Sequence, residues 1–282
     1  MPKIRGVFLL MVIFLILGWA AGCGSQGKNV PKKPAGEEKP KAPPALNKII
    51  DDIDKINEEL ANKISKQPKK AGNENDAAKN NQEMTDNIGE GGGKGGKGDS
   101  SLSSKERGDE DYSKEEQLVK KMYKEWNLLE PDLVKAGIGN KERNDFRQGL
   151  DDLALAVQKK KREEALRAAI AMYKYYAGIN KVFSGVVPPN FYLVKYEALS
   201  GAFFAAQGDF NQAEEHMESL FEYWNMLKMQ KKADDAKLFN RTEFSLYDLQ
   251  KAVENKEALL IPMKIEVVQN NLEEVEDSLS KM

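Results

Sequence analysis

The sequence predicts an all-α protein, a bundle or short array of helical hairpins with about six or seven helices, preceded by a disordered tether. Three observations carry this. From Tyr112 onward, nearly every segment sets its large apolar residues three or four apart, the period of a helix with one buried face. No stretch alternates with period two between turn signals, as a half-buried strand would. Between Gly24 and Asp111 there is no Phe, Trp or Tyr, whereas Tyr123, Trp126, Phe146, Tyr173, Tyr175 and Tyr176 follow soon after. The material for a core therefore lies in residues 112–282.

Lys114 to Leu129 sets Leu118, Met122 and Trp126 at four-residue spacing, with Val119 and Leu129 alongside. Asn144 to Val157 carries Phe146, Leu150, Leu153 and Val157, and Glu163 to Ala177 carries Leu166, Ile170, Tyr173 and Ala177. Val182 to Asn190 holds Gly185, Pro188 and Pro189 and reads as a loop, with Asn190 placed to cap a helix through Tyr192, Tyr196, Leu199 and Phe203 to Gln207. Phe210 to Met229 stacks Ala213, Met217, Leu220, Trp224 and Leu227 on one stripe. Ser245-Leu246-Tyr247-Asp248 has capping-box spacing, which predicts a helix start there. The last helix carries Ile261, Ile265, Val268, Leu272, Val275 and Leu279, and Pro262 must sit in its first turn or kink it.

Residues 23–111 hold 12 of the 22 glycines and 6 of the 11 prolines. Without large apolar groups such a stretch cannot offset the entropy of ordering. It is expected to be a tether, extended near Pro31 to Pro44 and flexible through the glycine- and lysine-rich run Gly89 to Gly98. Lys and Arg number 16 against 17 Asp and Glu in residues 24–111, and 25 against 28 in residues 112–282, so neither part points to nucleic acid. One island interrupts the tether. Leu46, Ile49, Ile53, Ile56 and Leu60 recur at steps of 3, 4, 3 and 4, a coiled-coil seam on a short amphipathic helix near residues 46–64. Such a seam could weakly pair two copies of the chain or dock on a partner helix; the plainer expectation is a transient amphipathic helix near the lipid surface.

The N-terminus reads as an address. Lys3 and Arg5 precede the uncharged stretch Val7 to Leu17, and Ala20-Ala21-Gly22-Cys23 closes it with the only cysteine of the chain. Residues 6–22 are shorter than the roughly 20 apolar residues that span a bilayer. A basic start, a short apolar middle and a small-residue exit make an export signal over residues 1–22. With its terminal cysteine, the segment resembles the signal and lipobox of bacterial lipoproteins, although Ala20 stands where that family more often has leucine. The resemblance implies that Cys23 receives a diacylglycerol, that the chain is cut before it, and that lipid (palmitate among its acyl groups) holds the protein on the extracytoplasmic face of the cell membrane. One cysteine allows no disulfide within the chain.

A second resemblance is local. Gly201, Phe204, Gly208-Asp209-Phe210, Ala213, Met217 and Leu220 resemble a tetratricopeptide-repeat hairpin, two helices crossing at small residues around a Gly-Asp turn. Echoes lie at Ala156, Lys159-Lys160-Lys161 and Ala165, and at Ala252, Asn255-Lys256 and Ala258. Ala165, Ala213 and Ala258 are 48 and 45 residues apart, not the roughly 34 of that repeat.

Residues for chemistry are scarce. His216 is the only histidine, so neither multi-histidine metal sites nor Ser–His pairs find partners, and an acylated Cys23 leaves no thiol. No catalytic, cofactor-binding or metal residue is predicted, and the chain is expected not to be an enzyme. Glu214, Glu218 and Glu222 share a helix face near His216; hard-oxygen cation binding is the sharper reading and a solvated face the expected one. Met172, Tyr173, Lys174, Tyr175 and Tyr176, with Phe203, Phe204, Tyr223 and Trp224, form an aromatic cluster. It is expected to be core, with one of Tyr175 and Tyr176 at a rim. Lys159 to Arg162 reads as a wet turn. The predicted function is a membrane-anchored lipoprotein whose helical domain serves as a protein-interaction or scaffold module on a tether. The alternative is a small-molecule or ion-binding surface lipoprotein.

Overall fold

A computed structural model describes residues 39–65, 111–230 and 235–281. The chain divides into two compact units, Met1–Glu38 and Lys39–Met282, and every described residue belongs to the second. The signal segment, Cys23 and the Gly89 to Gly98 run lie outside the described residues. Eight α-helices are present among those described: α1 Pro44–Ser65, α2 Ser113–Lys135, α3 Asn140–Gln158, α4 Arg162–Asn180, α5 Pro189–Ala206, α6 Phe210–Lys228, α7 Ala236–Glu254 and α8 Ile261–Ser280. Among the described residues the one strand-like pairing is an isolated parallel bridge between Lys41 and Ser184. The all-α expectation holds.

The helices form four hairpins, α1–α2, α3–α4, α5–α6 and α7–α8, packed through α2 on α3, α1 on α4, α4 on α5, α5 on α8 and α6 on α7. Four turns share one hydrogen-bond scheme. Ile138 N–H donates to Leu133 O, Lys161 N–H to Ala156 O, Asp209 N–H to Phe204 O and Glu257 N–H to Ala252 O. The residue just before each donor has positive φ: Gly137 at 83°, Lys160 at 51°, Gly208 at 83° and Lys256 at 58°. This is the Schellman closure, which satisfies the last carbonyls of one helix while reversing the chain. Asp209 then accepts from Gln212 N–H at 3.2 Å and caps α6.

Aromatic pairs join successive hairpins. Trp126 stacks on Phe146 at 4.6 Å, Tyr176 meets Tyr192 edge-on at 4.7 Å, and Trp224 stacks on Phe239 at 5.3 Å. At the α5–α6 crossing, a Cβ added to Gly201 would collide with Met217 Cε and lie 3.4 Å from the Ala213 carbonyl oxygen. Ala213 itself is 0% exposed. The two backbones meet where both residues are small.

The domain boundary expected at residue 112 is corrected. Helix α1, read as an island in a tether, is an integral part of the core: Leu46, Ile49, Ile53, Ile56 and Leu60 are all 0% exposed. They pack inside the chain against α2 and α4, so the seam offers no surface for pairing two copies. Charge fixes the antiparallel register of α1 on α2. Lys48 pairs with Glu125 at 3.5 Å, Asp52 with Lys121 at 2.6 Å, Glu59 with Lys114 at 3.1 Å and Lys63 with Glu115 at 3.1 Å. The strand of chain entering α1 is tied to the α4–α5 loop, where Ser184 N–H donates to Pro40 O at 2.9 Å and Ser184 Oγ to Lys39 O at 3.0 Å.

Three smaller readings also change. Ser245 starts no helix; it lies in the middle of α7 and donates from Oγ to Thr242 O at 2.7 Å. The α4–α5 loop ends at Pro188, so Pro189, not Asn190, opens α5. Helix α2 passes through Pro131 to Lys135 because Leu133, 0% exposed, still has core to reach. Pro262 sits in the first turn of α8 as its fixed φ requires.

Candidate functional site

Helix α5 is almost wholly apolar because it packs against α4, α6, α7 and α8. It carries only two charged residues, Lys195 and Glu197. Glu197 pairs within its own hairpin, with His216 on α6, whereas Lys195 finds its partners on other hairpins. Lys195 Nζ lies 2.5 Å from Asp54 Oδ1 on α1 and 3.6 Å from Glu276 Oε2 on α8. It also sits over the rings of Tyr173, at 4.8 Å, and Phe191, at 5.8 Å. Tyr173 donates its hydroxyl to Asp54 Oδ1 at 2.7 Å, and Tyr192 donates to Glu276 Oε1 at 3.3 Å. One buried ammonium thus ties the first hairpin, the middle and the last.

Above Lys195 a groove of about 460 Å³ runs between α1 and α8. Its apolar floor is Tyr173, Ala198, Leu199, Ile265 and Leu272. Asp51, Asp54 and Glu58 line the α1 side, and Gln269, Glu273 and Glu276 the α8 side. Lys55 and Lys195 are the only cations in the lining, against five carboxylates. In the α1 wall, Asn57 is 5% exposed and donates through Nδ2 to Ile53 O at 2.9 Å and Ala169 O at 3.0 Å. Its Oδ1 receives no hydrogen bond.

Burial dominates the local proton affinities. It pulls Lys195 downward, but Asp54 and Glu276 together outweigh it and leave the ammonium held more tightly than an ordinary lysine. Burial lifts the Glu276 carboxyl, partly opposed by Lys195. Burial also raises Tyr173 and Tyr192, with Asp54 adding to the rise at Tyr173 and the Tyr176 hydroxyl at Tyr192. Both phenols stay neutral donors. The site presents fixed acceptors over an apolar floor, an arrangement suited to a cation with hydrocarbon around it.

Glu214, Glu218 and Glu222 are exposed on α6, the solvated face that the sequence suggests. His216 turns from them: its Nδ1 lies 2.5 Å from Glu197 Oε2, and its ring stacks on Phe204 at 5.4 Å. Among the described residues, no group of three or more His, Cys, Asp or Glu is placed to hold a metal. The aromatic cluster divides. Met172, Tyr173, Tyr176 and Trp224 are buried, whereas Phe203, Phe204 and Tyr223 are partly covered. Tyr175 is the rim residue. It lies over Gly149 in a separate depression that includes Asp152, Lys159 and Arg167. The Lys159 to Lys161 turn is exposed, and Lys161 pairs with Glu164 at 2.7 Å.

Sequence reasoning missed Lys195, Asp54 and Glu276 as a group. A signal existed: a lone lysine in an otherwise apolar helix requires a buried counter-charge. Its partners, 141 residues upstream on α1 and on the last helix, carry no local mark. Among the described residues, no helix is long and apolar enough to cross a membrane. Family models, curated proteins and solved structures yield no match to the chain.

Proposed function

We propose that the chain is an extracytoplasmic lipoprotein held to the cell membrane through a lipid on Cys23, and that its helical unit binds another protein. The anchor rests on the run Lys3 to Cys23, with the single cysteine at the position where acylation needs it. The observation that carries the binding role is the open groove between α1 and α8, with an acidic rim and with Leu199 and Ile265 part-exposed in its floor.

Membrane fractionation and crosslinking test this reading. Cys23→Ser should release the protein from salt-washed membranes, and crosslinking of the wild type should capture a protein partner that groove substitutions remove. A Cys23→Ser protein still fully membrane-bound would refute the lipid anchor. Crosslinking unchanged by groove substitutions would refute the groove as the binding face.

A further inference from the structure

We infer that the α1/α8 groove takes an extended basic peptide segment of the partner, about five residues long, with Lys or Arg at alternate positions. This rests on the protein-binding reading and names the chemistry of what is bound. Lys195 satisfies Asp54 and Glu276 at the floor, which leaves Asp51, Glu58 and Glu273 as the active rim. All three are exposed, and none forms an ion pair among the described residues. They stand on opposite walls, Asp51 and Glu58 on α1 and Glu273 on α8. An anion entering here meets five carboxylates and two ammonium groups, so charge selects a cation.

Geometry then selects a peptide. The α1 wall runs from Asp51 to Asn62, about 16 Å at the helical rise, and five extended residues span about 17 Å. The aliphatic stems of Lys or Arg would lie along Leu199 and Ile265 while their heads reach the rim. An amide suits a peptide backbone and is superfluous for a bare polyamine: Gln269 stands exposed on the α8 wall. The sequence marks this face only as a hydrophilic side of α1, because the opposite wall is the last helix of the chain.

The test uses the full chain in detergent solution and a fluorescent acetyl-Lys-Ala-Lys-Ala-Lys-amide probe read by polarisation. Binding should weaken as salt rises, and the Glu-Ala-Glu-Ala-Glu counterpart should not bind. The variant Asp51→Asn/Glu58→Gln/Glu273→Gln should bind at least about 10-fold more weakly, in line with loss of about three rim charges, with an unchanged melting temperature. Equal binding by the triple variant, equal binding by the acidic peptide, or no binding of the basic probe up to millimolar concentration would each overturn the inference. Spermine binding more tightly than the probe and displacing it would replace the peptide by a polyamine and also overturn it. Membrane attachment of Cys23→Ser reads the anchor independently, so failure of one reading leaves the other standing.

Discussion

Lys195 and the buried tyrosines around it contribute to how the protein responds to alkali. The folded proton affinity of Lys195 is raised above the ordinary 10.5, and that of Tyr173 above 10.0. A group raised on folding contributes stability that is complete below its unfolded value and is lost as pH rises through its folded value. The melting temperature should therefore fall as pH climbs past 10.0, and Tyr173→Phe should make the fall shallower. Parallel curves for parent and variant would remove Tyr173 from the explanation. Lys195→Met leaves Asp54 and Glu276 facing each other without a cation. Because the Asp54 side chain stays 38% exposed, the cost is nearer the about 1.5–3 kcal/mol of a charged hydrogen bond than that of a fully buried pair. Urea denaturation should show a loss of that size, reduced when Asp54→Asn is added. At the α5–α6 crossing, Gly201→Leu and Ala213→Leu should each cost about 1–3 kcal/mol through overpacking. Gly201→Ala should cost less, because the atom in the way is the mobile end of Met217.

At the scale of helices, periodicity is written plainly in the sequence and partnership is not. Phe146, Leu150, Leu153 and Val157, or Ala213 to Leu227, name their buried stripes correctly because each helix keeps one face in the core and the other in solvent. The turns were partly legible too. Gly208-Asp209 announces its own reversal, whereas Lys160 and Lys256 make the same turn without glycine. Lys160, Gly208 and Lys256 are evenly spaced at 48 residues, a regularity that the alanines at 165, 213 and 258 only approximate. A lysine at positive φ is strained, since left-handed backbone costs a non-glycine residue about 1–2 kcal/mol. Lys256→Gly should therefore raise stability by about 1 kcal/mol, and thermal melts showing a loss instead would contradict the cap geometry. Helix α1 was misread for the opposite reason. Its seam shows that it is buried but not against what, and residues 66–110, without aromatics, separate it from α2. Only the three-dimensional register of Lys48 with Glu125 and Asp52 with Lys121 identifies its partner.

Across the whole molecule, the groove exists because the first and last described helices are brought to either side of α5. The sequence could foretell an all-α chain with few groups for chemistry, but walls drawn from α1 and α8 lie more than two hundred residues apart in the chain and share no local pattern. Removing α1 should thus do more than shorten the protein. It would expose the faces of α2 and α4 that cover Leu46 to Leu60 and delete one side of the groove. Residues 111–282 made alone should melt at lower temperature than residues 39–282 and bind the apolar dye ANS. The most direct measurement cuts the chain without removing anything. A specific protease site inserted between residues 66 and 110 allows a single cleavage, after which gel filtration reports whether the pieces stay together. If α1 belongs to the domain, the two fragments co-elute as one particle and part only in denaturant. If the piece carrying residues 39–65 elutes by itself while residues 111–282 stay folded, α1 is a tether after all, and the groove built on it does not exist.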